Sequence, residues 1–309
     1  IKSRPLVANY VARGSVYLPG DSGLCVPLEL SLGVHSDAGW RPDHTHIGTL
    51  GIYTTDWNNG VTGAGLSRLT SRDLVDMIMS HIKKDMDINF GQWTRRQMYD
   101  KNYGESREPL IPGIILETLS HQNFWDLYRG HDPYFKFVMA RAIYKGILQY
   151  LSEVYRLENV ATQPLPVTDV AAHVDPINNR VELSWTPTYD SQDPSADPES
   201  YIIYTRIGNE GYDNGTVING KTSVTIDLQP EQMHYFKVAA LNSGGCSLMS
   251  EEVCVQSMGN DAPRVLIVNG FQRVAGPQPV DTPEMQGFDI YQDPGVVDNK
   301  MPGYCGAQF

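Results

Sequence analysis

Long apolar segments, basic charge and cysteine are all scarce in this sequence. None of its 309 residues lies in a run of the roughly 18 apolar residues that a membrane-spanning helix needs, so no span is predicted. Acidic residues outnumber basic ones by 36 to 24, giving a formal net charge of -12. With no basic run to offset this charge, the sequence argues against a nucleic-acid partner.

The four cysteines, Cys25, Cys246, Cys254 and Cys305, are too scattered for a zinc knuckle. Cys246 and Cys254 are close enough in sequence to pair across neighbouring strands, but spacing alone leaves their pairing open. The chain also lacks an initiator methionine and a signal peptide. We therefore expect it to be a processed product or part of a longer protein.

Two apolar runs each end at polar side chains. The first, Leu28–Val34, predicts a buried strand that stops at His35 and Asp37; the second precedes a lone carboxylate, Glu117. Open α/β sheets bind ligands beyond the carboxyl ends of their strands. We therefore expect His35 and Glu117 to lie side by side on adjacent parallel strands.

Two helices are predicted from apolar positions repeating at three and four residues, one opening at Ser71 as N-cap and one covering Asp132–Val154. Residues 1–25 contain no such pattern and are predicted to be irregular. Strands and helices that alternate imply an α/β domain over residues 1–160, with a mainly parallel sheet and helices on both faces.

Composition changes at residues 161–166, a proline-containing linker, and residues 167–258 then read as an all-β sandwich of short strands. The Trp185 strand and the segments Tyr201–Arg206 and Tyr235–Asn242 resemble a fibronectin type III module. The rest, 259–309, begins with the apolar stretch Arg264–Gly270. It is either the start of a further α/β segment or a tail packed on the other domains.

The residues around the two strand ends resemble a known enzyme family. Leu32–Ala38 is similar to the Ser-x-His strand end of zinc-dependent N-acetylmuramoyl-L-alanine amidases, and Leu116–Asn123 is similar to their later Val-Glu-x-Gly-Phe-x-x-Asn element. The likeness runs in order across residues 1–160. An amidase-like domain followed by a fibronectin type III module and a further α/β segment is also the order found in large secreted bacterial envelope proteins.

The resemblance implies a mononuclear zinc site with His, Glu and His ligands and a water molecule in the open position. His35 matches the last ligand, and Glu117 matches the general base. The substrate would be the amide between the lactyl group of muramic acid and L-alanine in peptidoglycan, or a related glycan-peptide. The protein would be secreted, periplasmic or at the cell surface.

The sequence departs from that family before His35. The family's first ligand lies in a Gly-His-Gly turn and its second is a Glu further on, yet residues 1–30 contain no histidine. We therefore expect a missing N-terminal segment or a second chain to complete the site. The expected site-lining residues within this chain are Asp37, His44, His46, Arg107 and Asn123.

Other interpretations remain open at this stage. A strand-end histidine is often a hydrogen-bonded structural residue, and Glu117 could form a buried ion pair with Arg107 or Arg13. Arg95 and Arg96 could contact the acidic peptide stems of peptidoglycan or cover a helix face, and we expect the second. The alternative functions are a non-catalytic envelope-binding scaffold that retains the fold, and a zinc hydrolase of another peptide or amide.

Overall fold

The structure, a computed structural model, describes residues 3–20, 22–43, 45–268 and 274–296. The chain divides into two compact units. The first comprises Ile1–Leu157 with Ala275–Gly295, and the second comprises Glu158–Val274 with Val296–Phe309. No helix in the described ranges is long and apolar enough to cross a membrane.

The described residues of the first unit form five α-helices, a four-stranded sheet and a small hairpin. Its elements are α1 Ser3–Ala12, β1 Ser31–Asp37, β2 Leu50–Tyr53, α2 Leu69–Phe90, β3 Tyr99–Asp100, α3 Gly104–Arg107, β4 Gly113–Ser120, α4 Phe124–Gly130 and α5 Pro133–Tyr155.

The sheet has the order β1-β4-β2-β3 and is mixed. β1 runs parallel to β4 and β2 parallel to β3, but β2 and β4 are antiparallel. Two of its three strand pairings are therefore parallel, and the antiparallel pairing of β2 with β4 is the departure from an all-parallel sheet. The described residues between β1 and β2 form no helix, and β4 lies between the two strands in the sheet. Without a helical crossover after β1, the alternation rule that predicts parallel neighbours does not extend to β2, which runs antiparallel to β4.

One face of the sheet is covered by α2 and α5. Ile114 and Leu116 on β4 lie in one buried cluster with the apolar stripes of both helices. The two helices approach closely because Gly146 has no side chain: a Cβ there would lie 2.5 Å from Ile78 Cα. Burial of these stripes supplies most of the apolar driving force of the unit.

The opposite face carries Ile115, Leu50 and Ile52, which form a smaller buried cluster. The short helix α3 contacts β4 and β2 on this side, and α1 contacts α3. The prediction that residues 1–25 are irregular was wrong for α1. Its helix is fixed by tertiary contacts, since buried Asn9 donates to Glu108 O and accepts from Leu110 N.

The helix boundaries follow capping chemistry in one case and not in the other. Asp132 caps α5 by accepting a hydrogen bond from Tyr134 N, with Pro133 in the first turn, as the sequence predicts. Ser71 does not cap α2, which begins two residues earlier at Leu69. Its buried hydroxyl instead accepts from Gly113 N at the start of β4.

The second unit is a β-sandwich. Its strands are β5 Thr168–Asp175, β6 Arg180–Thr186, β7 Ser200–Ile207, β8 Thr216–Asn219, β9 Ser223–Asp227, β10 Met233–Asn242, β11 Gly245–Cys246 and β12 Val253–Gln256. One sheet has the order β5-β6-β9, and the other has β11-β10-β7-β8 with β12 also paired to β10. Trp185 and Tyr201 pack edge to face in the core between them, 5.2 Å apart.

Cys246 and Cys254 do not form the disulfide that their spacing allowed, since both are free thiols. They pair with the same strand, β10, at Leu241 and Tyr235 respectively. Six residues along a strand span roughly 20 Å, well beyond the reach of a disulfide.

The last described residues are divided between the units. Residues 264–268 form no strand, and Val265–Val268 are 73–86% exposed; the rest of the predicted strand, 269–270, lies outside the described residues. Residues 275–295 belong to the first unit. There a hairpin of β13 Pro279–Asp281 and β14 Gln286–Phe288 places Phe288 against Phe124 and His131, at either end of α4.

Candidate functional site

His35 and Glu117 are register partners on the parallel strands β1 and β4. Side chains directly opposite each other on adjacent strands point to the same face, and the strands lie about 4.8 Å apart. The ladder becomes irregular immediately after this pair, between His35 and Asp37. The structure therefore brings together the two residues on which the sequence argument depends.

Glu117 is a half-buried carboxylate whose Oε2 is buried without a hydrogen-bond partner among the described residues. Burial raises the pKa of Glu117, and the negative charge of Asp37 raises it further, against the opposing effects of His35, Arg96 and His121. Burying a carboxylate oxygen without a partner is costly, so the folded protein tolerates this group at some expense in stability. The alternative ion pair with Arg107 or Arg13 is not formed.

Asp37 is held by Arg96, and both side chains are partly buried. The interpretation of Arg96 as a residue that covers a helix face was therefore wrong, although Arg95 does pair with Asp76 of α2. The residue before it, Arg95, forms an isolated β-bridge with Thr49, and this bridge places Arg96 at the edge of the sheet. Its guanidinium therefore belongs to the charges that surround Glu117.

Glu105 is a site residue that the sequence argument missed. It lies on α3, its side chain is 8% exposed, and its Oε2 lies 2.5 Å from His35 Nε2. Arg4 of α1 holds its other oxygen at 3.0 Å. The sequence showed only a mixed-charge stretch at 105–108, and nothing in that pattern indicates which carboxylate turns inward.

His46 and Asn123 are brought together around Asp126 instead of Glu117. The fully buried Asp126 carboxylate lies 3.1 Å from His46 Nδ1 and accepts from Ile47 N, Gly48 N and Ser120 N. Asn123 caps α4 by accepting from Asp126 N and also donates to Thr45 O. These contacts fix the loop beside the end of β4. His44 lies outside the described residues.

Arg107 does not line the site beside His35. Its guanidinium hydrogen-bonds Glu108 and Asn102 and lies over the Trp57 ring, 4.9 Å from the centroid. His121 is exposed, and its Nδ1 lies 3.1 Å from Ser36 Oγ. The charge of His121 lowers the pKa of Glu117.

Two cavities open beside β1, which pairs with no second strand in the described part of the chain. One of about 300 Å³ is lined by Arg4, Pro5, residues 31–35 and Glu105. The other, about 470 Å³, lies towards α5 and includes Phe135, Met139 and Ile143. His35 lines both cavities, and Glu117 lines neither. Solvent and ligands therefore reach the imidazole more readily than the carboxylate.

Within the described residues, no three His, Cys, Asp or Glu side chains are grouped so as to hold a metal ion. His35 and Glu117 can supply one ligand and one base, but a catalytic zinc needs three protein ligands. The described side chains therefore fit part of a zinc site.

Comparison with solved structures finds fibronectin type III domains, and these likenesses are distant. The twitchin kinase region from C. elegans is 22% identical over 33% of this chain, with a TM-score of 0.28; this chain covers only 18% of it. The FN5 domain of Drosophila Lar is 22% identical, covering 31% of this chain and 99% of that one, with a TM-score of 0.26. The domain from human contactin 1 is 18% identical, covering 34% and 90%, with a TM-score of 0.27. No family model matches the sequence, and the search of curated proteins gives no match.

Proposed function

We propose that the first unit is the catalytic domain of a zinc-dependent amide hydrolase acting on peptidoglycan, of the N-acetylmuramoyl-L-alanine amidase type, in a secreted or cell-surface protein. The observation that carries this proposal is the register pairing of His35 with Glu117 at the carboxyl ends of two parallel strands. The second unit would be a fibronectin type III module of the same envelope protein.

In this proposal His35 is a zinc ligand and Glu117 the general base. The further ligands would come from residues outside the described ranges or from a second chain. Zinc held by His35 and those further ligands would polarise the scissile carbonyl and lower the pKa of water to about 7. Glu117 takes a proton from the attacking water and returns it to the leaving amine, so that each proton is transferred over a short distance.

The environment of Glu117 suits this role. A general base works best when its pKa lies near the working pH, and burial moves the pKa of Glu117 upward from the ordinary glutamate value. Arg96 and His35 limit that rise, so the carboxyl group is still able to ionise.

Metal content and hydrolysis measured on the full-length protein test the proposal. We expect one zinc per protein, lost in His35→Ala and retained in Glu117→Gln. The release from peptidoglycan of peptides with L-alanine at the N-terminus should be lost in both variants. His81→Ala is the matched control, because His81 bonds Gln149 on the far side of α2 and α5. Zinc content that is the same in His35→Ala and the wild type would contradict the assignment.

The other candidate function is a non-catalytic protein that uses the same fold to hold envelope glycans or peptides. It predicts binding to peptidoglycan without stoichiometric zinc or product release. A hydrolase of another amide would bind zinc, and it would leave the muramoyl amide intact while cleaving other peptides. The same two measurements therefore separate all three.

A further inference from the structure

The His35 ring has a buried carboxylate partner on one nitrogen only. Glu105 Oε2 lies 2.5 Å from Nε2, and the Glu105 side chain is 8% exposed against 31% for His35. No described residue forms a hydrogen bond with Nδ1. The ring is therefore anchored at one nitrogen while the other is free for a ligand.

Glu105 is itself held in place from two sides. Arg4 of α1 pairs with Oε1 at 3.0 Å, so the carboxylate cannot turn away from His35 without breaking an ion pair. On the sheet side, Gly33 provides the space. A Cβ at Gly33 would lie 3.0 Å from Glu105 Oε2 and 3.3 Å from His35 Nε2. Helix α3, helix α1 and strand β1 therefore all contribute to this one hydrogen bond.

We infer that Glu105 is a positioning residue that holds His35 in the tautomer with its proton on Nε2 and its lone pair on Nδ1. An ionised carboxylate can only accept hydrogen bonds, so the Nε2–Glu105 contact requires a proton on Nε2. A histidine that binds a metal through one nitrogen commonly donates the other N–H to a carboxylate, which fixes the ring and increases its basicity. The use of Nδ1 as a zinc ligand rests on the proposed function, but the tautomer itself does not.

The tautomer can be measured on the full chain without any metal. Imidazole ¹H–¹⁵N correlation spectra of the ¹⁵N-labelled protein, with His35 assigned from His35→Gln, distinguish a protonated from an unprotonated nitrogen. We expect Nε2–H in the wild type and a mixture of both tautomers in Glu105→Ala. Glu105→Gln should restore Nε2–H, because its amide oxygen can still accept.

Glu108→Ala is the matched control, since Glu108 is three residues further on and pairs with Arg107 instead. Unchanged signals from His46 and His234 in Glu105→Ala show that both units remain folded. A wild-type His35 protonated on Nδ1, or a tautomer that Glu105→Ala leaves unchanged, overturns the inference.

Zinc chloride titrated into the same proteins separates this inference from the proposed function. We expect about tenfold or greater loss of zinc affinity in Glu105→Ala. If wild-type protein that carries the segment or second chain expected to complete the site binds no zinc but the tautomer depends on Glu105, the positioning role stands and the hydrolase proposal fails. If zinc binds equally to both proteins and the tautomer is unchanged, the positioning role fails and the hydrolase proposal stands.

Discussion

Glu117 lies opposite His35 on one side and opposite Leu50 on the other, in the register of β1, β4 and β2. The carboxylate therefore has an imidazole on one flank and a buried aliphatic side chain on the other. The aliphatic flank contributes to the desolvation that raises the pKa of Glu117, and the imidazole provides partial compensation. This asymmetry is the basis of the first two predictions.

Under the proposed hydrolase function, Glu117→Gln should abolish hydrolysis, and whatever the function it should stabilise the fold. Loss of a general base lowers the rate by about 100-fold or more, and removal of a poorly solvated charge should raise the free energy of unfolding by about 1 kcal/mol at neutral pH. Native-state hydrogen exchange of β4 amides measures the second effect. A β4 that exchanges faster in the variant would contradict this account of the site.

The same substitution should lose its stabilising effect in acid. Because the pKa of Glu117 is raised in the fold, the folded protein keeps a proton that the unfolded chain has released. Its stability contribution is therefore full below the unfolded pKa and declines as pH rises through the folded pKa. Wild type and Glu117→Gln should be equally stable near pH 4 and diverge towards neutral pH.

Arg96→Gln should raise the pKa of Glu117 further. Arg96 favours the ionised form of Glu117 and also pairs with Asp37, whose charge acts in the opposite direction. Its removal withdraws a positive charge and leaves the charge of Asp37 uncompensated, and both changes raise the pKa of Glu117. A ¹³C titration of the Glu117 carboxyl measures the change. Arg95→Gln, next in sequence but paired with Asp76, should leave the titration unaltered.

Gly33→Ala should disturb the contact between His35 and Glu105 because the new methyl group lies within 3.0–3.3 Å of both side chains. The side chains must separate by a few tenths of an ångström, and the His35 ring signals should shift accordingly. Gly104→Ala, beside Glu105 but with no atom within 4 Å of its added Cβ, is the control. Equal shifts from the two variants would show that the effect is not steric.

The sequence was sufficient to predict the elements whose patterns are local. The apolar stripe and the Asp132 cap locate α5, and the strand-end motifs place His35 beside Glu117. The short strands after residue 167 predict a β-sandwich. Each of these signals, whether a side-chain period or a capping residue, depends only on residues that are a few positions apart in the sequence.

Contacts between distant segments could not be predicted in the same way. Glu105 reaches His35 across 70 residues, and Arg4 reaches Glu105 across 101. The direction of β2 depends on its pairing with β4, which lies between β1 and β2 in the sheet. Helix α1 depends on the hydrogen bonds of Asn9 to Glu108 and Leu110. Each outcome is decided by tertiary packing, for which the sequence shows no periodic signal.

The buried ion pair between α2 and α5 gives the last prediction. Lys145 Nζ lies 2.6 Å from Asp85 Oδ2, with the two side chains 8% and 4% exposed. Removing one partner leaves the other charge buried, so Asp85→Ala should destabilise the first unit by about 3–5 kcal/mol.

The double variant Asp85→Leu with Lys145→Met should recover most of that loss, because no unpaired charge remains. The more accessible pair Lys83–Asp87, on the same helix, is the control, and Lys83→Ala should cost less than about 1 kcal/mol. Hydrogen exchange of α2 amides measures the stability of this unit alone. A double variant as unstable as Asp85→Ala would contradict the explanation that the unpaired buried charge causes the loss.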